Sequence, residues 1–385
     1  MSGTSVLLES LPRTPTESKL VKFGKCDGFM QTLKERVDAY FTETGQSKRD
    51  HPRLYLKTVV ILCWTVASYV TLVFYASNGW MALAAAVSLG LAMAGVGFNV
   101  QHDGGHGAYS RYPLVNSLMA FTLDILGGSS FIWKRTHNVI HHSYTNVTGL
   151  DGDIDLGFMG RLSPHQPRYA FHRYQHLYLW FLYGFITFKW QFRDDYQSLI
   201  IGRVGDVRIP RPKGWDLAML VVGKIVFLTL AFGVPLYLHA WYHVAVFFFA
   251  ASFVQGVTLS IVFQLAHVVE HADFPMPPEG SLRIENEWAV HQVETTVDFA
   301  QKSRLVNWYT GGLNFQIEHH LFPQICHIHY PALAGIVEQT SREFGVSYHA
   351  HPTLWSAIAS HYTWLRRMGQ PVPTESATTD TQLAG

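Results

Sequence analysis

Four long apolar stretches constrain the fold of this chain more than any other feature of its sequence. They cover residues 58–76, 80–98, 216–238 and 242–265. Each is close to the ~20 residues that a helix needs to cross the ~30 Å hydrocarbon core of a bilayer. Turns of three residues, 77–79 and 239–241, join the stretches in pairs. The sequence therefore predicts an all-α integral membrane protein with four transmembrane helices in two hairpins.

Composition and charge agree with a membrane protein. Charged residues make up 15% of the chain, against roughly 25% in soluble domains, which argues against four buried helices of a soluble core. The formal net charge is only +1, so nothing indicates a surface for nucleic acid. The N-terminus is polar, and we expect no cleavable signal peptide.

The basic residues predict the orientation in the membrane. Residues 1–57 carry ten Lys and Arg, residues 99–214 carry twelve and the part after Leu265 carries six, while the two turns carry none. Only Lys224 lies inside a span. By the positive-inside rule, both termini and the long middle loop face the cytoplasm. The membrane is either a bacterial inner membrane or the endoplasmic reticulum.

The remaining segments complete the predicted organisation. Residues 1–57 form a cytoplasmic segment, 58–331 the membrane domain, 332–373 a helical C-terminal segment and 374–385 a disordered tail. Apolar residues at helical spacing indicate a helix in the first segment, lying on the membrane or packed as an ordinary amphipathic helix: Phe29, Leu33, Val37, Tyr40 and Phe41. Two further apolar segments, 114–132 and 177–192, are expected to be half-inserted or interfacial.

Seven of the 21 histidines fall into three tight clusters. The first is HDGGH at residues 102–106, directly after the second span, and its histidines at i and i+4 share one helix face. The second is HNVIHH at residues 137–142, where His142 points about 100° away from its neighbour in an α-helix. The third is QIEHH at residues 316–320. All three lie on the predicted cytoplasmic side, where a helical cap under the spans would hold them together.

The clusters predict a site for two metal ions. Imidazole suits Zn, Cu, Fe and Ni, and structural zinc usually takes cysteine ligands. The three cysteines, Cys26, Cys63 and Cys326, lie outside the clusters and imply no disulfide framework. A further candidate ligand is His267 at the end of the last span, whereas His271 and His291 are expected to have outer or structural roles. Nearby carboxylates would orient the ligands: Asp103, Asp151, Asp153, Asp155 and Glu318.

The three clusters, in this order and separated by membrane hairpins, resemble the histidine boxes of the membrane fatty acid desaturase family. The resemblance covers residues 58–331, and QIEHH followed by LFP at 321–323 is similar to the third box of front-end acyl desaturases. It implies a cap that holds a di-iron site. The implied iron ligands are His102, His106, His137, His141, His142, His267, His319 and His320, with Gln316 in the place of a further histidine.

The resemblance also implies the reaction, which is the O2-dependent introduction of a double bond into a fatty acyl chain. A methylene C–H bond has no acidity for a general base to use, so its removal requires an oxidant made from O2 and two electrons. The implied substrate is a long-chain acyl-CoA or an acyl-lipid. The chain has no haem-binding HPGG motif, which implies a separate electron donor of the ferredoxin or cytochrome b5 type.

Two other functions share some of these features. A related membrane di-iron hydroxylase, acting on a lipid or hydrocarbon, would share the three clusters, but the QIEHH and LFP segment favours desaturation. A metal transporter would need ligands or acids inside the spans, where the sequence has almost none.

Overall fold

The structure is a computed structural model that describes residues 21–25, 27–204 and 207–371. Residues 1–20, Cys26 and the predicted disordered tail at 374–385 lie outside the described residues. The helices, in chain order, are α1 (Phe29–Thr44), α2 (Pro52–Tyr75), α3 (Gly79–His106), α4 (Pro113–Ile125), α5 (Ser130–His141), α6 (Gln175–Leu182), α7 (Ile186–Lys189), α8 (Asp195–Ile201), α9 (Trp215–Leu238), α10 (Trp241–His267), α11 (Trp288–Glu294), α12 (Arg304–Thr310), α13 (Gln316–Leu321), α14 (Tyr330–Glu343) and α15 (Leu354–Gly369).

Shorter elements connect or continue these helices. Turns of 3₁₀-helix lie at Gly152–Ile154, Gly157–Met159, Ala170–Tyr174, Tyr183–Phe185 and His327–His329. Segments wound as π-helix lie at Thr71–Tyr75, Gly97–Gln101, Lys134–His141, Trp190–Asp194 and Thr229–Gly233. The strands in the described part of the chain form two pairs, β1 (Arg203–Val204) antiparallel to β2 (Val207–Arg208), and β3 (Asp298–Phe299) parallel to β4 (Ala350–His351).

Helices α2, α3, α9 and α10 are each long and apolar enough to cross a membrane. They contain the four predicted spans, and the predicted turns join them in two hairpins, so the all-α membrane fold is confirmed. Helix α2 begins six residues before the predicted span. Pro52 fits the first turn of a helix, and the His51 side chain caps it by accepting from the Arg53 N–H. Helix α3 continues past residue 98 to His106, so the first histidine cluster is its last turn.

Glycines let the helices of the bundle approach closely. A Cβ atom on Gly90 of α3 would lie 2.4 Å from the Ala251 carbonyl oxygen of α10. A Cβ atom on Gly256 of α10 would lie 2.6 Å from the Gly184 carbonyl oxygen, in the turn between α6 and α7. Because helices gain no hydrophobic driving force from one another in lipid, such small residues at their contacts stabilise the bundle through close packing.

Helices α4 and α5 form a bent pair with an angle of 116° between them. Helix α4 packs against the end of α3 and runs back beside it, and α5 returns to the second histidine cluster. Leu126, at the bend, lines the same cavity as Val96 of α3. We call residues 113–141 the re-entrant loop. The half-inserted position predicted for residues 114–132 stays a prediction, because a bend of this kind also fits a broken span.

The segment predicted at 177–192 covers α6, α7 and the start of the following π-helical turn. It packs against α10, where the Thr187 hydroxyl donates to the Ser252 carbonyl oxygen at 2.7 Å. Leu177, Phe181 and Phe192 of this segment remain exposed. An apolar face of this kind suits contact with lipid, so interfacial insertion stays a prediction.

A helical cap covers the end of the bundle at which the histidine clusters lie. One face of α1 is buried, through Phe29, Leu33, Val37 and Phe41, and packs against Leu333 and Val337 of α14 in one core cluster. Of the two possibilities for this helix, lying on the membrane or packing as an ordinary amphipathic helix, the buried stripe agrees with the second. The domain boundaries at residues 57, 331 and 373 stay predictions.

Candidate metal centre

The local structure of each cluster follows from its place in the fold. The first cluster is a short α-helical turn, His102–His106, that directly follows the π-helical turn Gly97–Gln101. The second lies in the π-helical segment Lys134–His141, at the end of the re-entrant loop. The third is helix α13. His267 is the last residue of α10, so two spans, the re-entrant loop and the cap helix α13 each deliver part of the site.

The two glycines of the first cluster are required by close contacts. A Cβ atom on Gly104 would lie 2.6 Å from Cβ of Met119 in α4. A Cβ atom on Gly105 would lie 2.2 Å from the ring of Trp133. That indole stacks on His137 with ring centroids 4.4 Å apart. The glycines therefore allow the re-entrant loop to lie against the first cluster and bring the second cluster to it.

The clusters converge into two groups of imidazoles. The first group is His102, His106, His137 and His319, whose ligand atoms all lie within 4.8 Å of one another. The second group, by the same measure, is His141, His267 and His320.

His142 lies between the two groups. Its Nε2 atom is 3.2 Å from Nε2 of His137 and 3.1 Å from Nε2 of His319. Its ring also stacks on His320 with centroids 4.3 Å apart. The structure therefore brings together all eight histidines singled out in the sequence.

Gln316 belongs to the second group by position. Its side-chain amide nitrogen lies 2.9 Å from Nε2 of His267 and 3.3 Å from Nε2 of His320. The amide end thus faces the same point as two imidazole nitrogens. Rotating the amide by 180° about its last bond would present its oxygen, a metal ligand, at this position.

The π-helical winding changes how the second cluster is distributed. An α-helix would put His137 and His141 on one face and His142 about 100° away. A π-helix instead aligns residues i and i+5, and this brings His137 and His142 together. The rings of His137 and His141 still stack at 5.1 Å, but the inward nitrogen of His141 belongs to the second group. The adjacent histidines diverge as predicted, with 83° between their ring planes.

Three of the histidines are oriented from outside by polar partners. Nδ1 of His141 lies 3.0 Å from the Asp151 carboxylate, Nδ1 of His320 lies 2.7 Å from the Gln292 amide oxygen, and Nδ1 of His319 lies 3.2 Å from the Tyr330 hydroxyl. In a neutral imidazole whose Nδ1–H donates outward, Nε2 keeps its lone pair for a metal. Gln292 and Tyr330 carry no sequence signal, because neither lies in a histidine cluster.

The carboxylates predicted to orient ligands divide into two sets. Asp151 contacts His141, and Asp153 lies 3.7 Å from Nδ1 of the same residue. The prediction is wrong for the other three. Asp155 is exposed and accepts from the Gly157 N–H, and Glu318 accepts from the Tyr348 hydroxyl at 3.1 Å. These two and Asp103 have hydrogen-bond partners other than the cluster histidines.

Asp103 instead belongs to a buried polar cluster beside the centre. Its carboxylate accepts from Nδ1 of His327 at 2.8 Å, and Cys326 lies close by. Nζ of Lys57 lies 3.0 Å from the other ring nitrogen of His327. A lysine ammonium at this position repels a metal cation. We therefore interpret this cluster as an ionic contact that joins α2, α3 and the segment after α13.

The donor set fits metal ions in the two groups. Burial, followed by the charges of neighbouring histidines, holds the pKa of His142, His319 and His320 well below the usual range. These imidazoles are therefore neutral at pH 7, as metal ligation requires. Several buried ring nitrogens of the cluster have no hydrogen-bond partner among the described residues: Nε2 of His106, Nε2 of His141 and Nδ1 of His267.

Comparison with known proteins agrees with this geometry. Residues 78–352 match the family described as fatty acid desaturase. The chain belongs to this family. A relative named sn-1 linoleoyl-lipid 6-desaturase from Arthrospira platensis is 44% identical over 92% of this desaturase and 96% of its own length. Its namesake from Synechocystis sp. is 41% identical over 91% and 98% of the two chains. An acyl-lipid (8-3)-desaturase from Physcomitrium patens is 38% identical over 89% and 72%.

Two isolated histidines of the desaturase lie outside both groups. His291 is buried, which lowers its pKa to about 4, and its ring packs on Phe23 at 5.0 Å. His271 is exposed and stacks on His349 at 4.9 Å. Neither is grouped with the cluster histidines, and outer or structural roles for both stay a prediction.

Proposed function

We propose that this desaturase inserts a double bond into an acyl chain of a membrane lipid, with O2 as the oxidant at a di-iron centre. The observation that carries the proposal is an apolar cavity inside the four-helix bundle, whose inner end at Val96 and Leu126 lies on the side of the bundle that carries the histidine groups. The two relatives above 40% identity are named as desaturases of a linoleoyl lipid at position 6. We therefore expect an acyl-lipid rather than an acyl-CoA, and a new double bond at position 6.

The cavity has a volume of about 800 Å³. At one end it is lined by Asn78 and His239, in the turns of the two hairpins, and at the other by Val96 and Leu126. Val96 precedes His102 by six residues of one continuous helix, about 9 Å at 1.5 Å per residue. An extended acyl chain in this cavity would lie along the bundle, with the carbons nearer its carboxyl end towards the histidines.

We infer that the first group, with His142, holds one iron and that the second group, with Gln316, holds the other. Iron bound there would activate O2 as the oxidant: O2 takes up the two hydrogens from neighbouring methylenes, two electrons from the donor and two protons, and leaves as two waters. The chain's own residues hold the neutral imidazoles in place, and their burial keeps bulk water away. The apolar cavity aligns the acyl chain for reaction.

The two electrons per turnover come, in this proposal, from a separate protein of the ferredoxin or cytochrome b5 type. The distribution of Lys and Arg supports a topology with both termini and the histidine clusters in the cytoplasm. A cytoplasmic redox protein then reaches the cap directly.

Expression in a host whose lipids contain linoleoyl chains tests the substrate and the product. We expect lipid-bound 18-carbon chains with a third double bond, located at position 6 by mass spectrometry of derivatised chains. His142→Ala is the matched inactive control, and His165→Ala, outside both groups, should match the wild type. A hydroxylated chain would contradict desaturation, and product found only in the acyl-CoA pool would contradict the lipid substrate.

A further inference from the structure

A buried ion pair lies inside the membrane domain, away from the histidine groups. Lys224 of α9 is 8% exposed and Asp195 of α8 is 5% exposed, and Nζ of the lysine lies 3.2 Å from the aspartate oxygen. Charged side chains inside a membrane domain are costly to bury and are retained where they have a role. The reaction at the histidine groups does not use this pair.

The second contact of the lysine identifies that role. Lys224 Nζ also donates to the Gly127 carbonyl oxygen, at the bend of the re-entrant loop. The neighbouring Leu126 carbonyl accepts from the Gln191 amide at 3.0 Å. Non-helical backbone at membrane depth needs protein partners for its polar groups. Two side chains from outside the loop thus satisfy the two carbonyls at its bend.

The packing around this contact is tight. A Cβ atom on Gly127 would lie 2.7 Å from the Phe227 ring, and one on Gly223 would lie 2.4 Å from Cβ of Asp124. Asp124 in turn accepts from the Ser130 N–H at 3.1 Å, which connects the two helices of the loop. Helix α9 therefore fixes the bend on both sides of Lys224.

The bend also forms part of the cavity wall. Leu126, Gln191 and Phe227, which surround the contact with Lys224, all line the cavity. Beyond the bend the same loop continues through α5 into the second histidine cluster. The re-entrant loop thus contacts the proposed acyl chain at its bend and leads into the second histidine cluster at its end.

We propose that Lys224 and Asp195 are positioning residues that set which carbons of the acyl chain meet the metal centre. They fix the bend of the re-entrant loop, and the bend fixes the cavity wall relative to His137, His141 and His142. This inference rests on the proposed lipid desaturation. Without the ion pair, the wall and the cluster shift relative to each other, and the chain reacts in more than one register.

A double variant separates this role from stability. Lys224→Met alone leaves a buried carboxylate unpaired and should reduce the amount of folded protein. Lys224→Met with Asp195→Leu removes both charges, so membrane insertion and thermal stability should recover while Gly127 still lacks its donor. Lys224→Arg keeps the cation, and Ser88→Ala, which removes a hydrogen bond to Trp64 between α2 and α3, is the matched control.

The decisive measurement is the distribution of double-bond positions in the lipid products. For the double variant we expect turnover to fall by up to about 10²-fold, the effect of a misplacement near 1 Å. We also expect product at neighbouring carbons, absent from the wild type and from Ser88→Ala. A cysteine placed at Gly128 in both the wild-type and the double-variant background would report the bend independently of activity. We expect it to be labelled faster in the double variant, because the bend is looser there.

The outcomes distinguish this inference from the proposed function. If the wild type makes no unsaturated lipid, the proposed function fails. If the wild type is selective and the well-folded double variant is equally selective, with unchanged labelling at position 128, the positioning role is refuted.

Discussion

Gln292 provides a test of whether residues outside the histidine clusters control the metal centre. Its amide oxygen accepts from Nδ1 of His320 at 2.7 Å and from the Thr145 hydroxyl at 2.9 Å. Gln292 and His320 are both fully buried, so no water replaces a lost acceptor. Gln292→Leu keeps the side-chain volume close to that of glutamine and removes the acceptor.

Two effects of Gln292→Leu add at the second group. A buried imidazole N–H without a partner costs about 1–3 kcal/mol, and the ring is free to turn its lone pair away from the metal. Loss of an outer partner of a metal-bound histidine typically reduces metal affinity or activity by about 10–100-fold, which corresponds to roughly 1.4–2.7 kcal/mol. The second group should weaken most, because the cluster histidine that hydrogen-bonds to Gln292 is His320 of that group.

The assay is metal analysis of purified protein after equilibration with increasing concentrations of a chelator. We expect the variant to lose one of its two irons at about 10–100-fold lower chelator concentration than the wild type, with activity falling in parallel. Gln292→Glu keeps an oxygen acceptor and serves as the matched control, with near wild-type retention. If Gln292→Leu holds two irons as tightly as the wild type at full activity, Gln292 does not orient His320.

Four further predictions test the centre and the topology. Purified wild-type protein should hold about two irons per chain, the sum of the two groups, and an active preparation with zinc alone would contradict the di-iron proposal. Four clustered histidines should each abolish activity when replaced by alanine, without preventing membrane insertion: His106, His142, His267 and His320. His165→Ala should be nearly silent. Gln316→His should keep measurable turnover and Gln316→Ala should lose more, because only histidine restores a ligand. Asn146-Val147-Thr148 is a glycosylation sequon. It should carry no glycan on a gel-shift assay, because it lies in the middle loop that the topology places in the cytoplasm and its buried amide donates to the His267 carbonyl at 2.8 Å.

The sequence predicts the spans and the histidine groups because both depend on local properties. Apolar length alone defines a membrane span, and histidines three to five residues apart are neighbours in any helix. Of the carboxylates, Asp151 contacts a cluster histidine, as the sequence predicts. Asp103 and Glu318 do not, because Lys57, His327 and Tyr348 approach them from distant parts of the chain.

Other features of the centre depend on long-range packing that a single sequence does not encode locally. The π-helical winding at Lys134–His141 has no propensity signal, yet it brings Nε2 of His142 to 3.2 Å from Nε2 of His137. The ion pair of Lys224 joins two helices, and its partner was not predicted because 29 positions separate the residues. The span predictions ended α3 at residue 98, where the apolar run stops, although the helix continues to His106.

The centre draws its histidines from positions between 102 and 320 of the chain, and this has a consequence for biosynthesis. A nascent chain that has inserted all four spans still lacks His319 and His320, because these follow the last span by more than 50 residues. Neither imidazole group is complete until translation has passed α13. A ribosome that stalls earlier therefore leaves in the membrane a polypeptide without a full set of ligands. In the proposed di-iron enzyme, only a nearly finished chain therefore offers both complete groups of histidines to the metal.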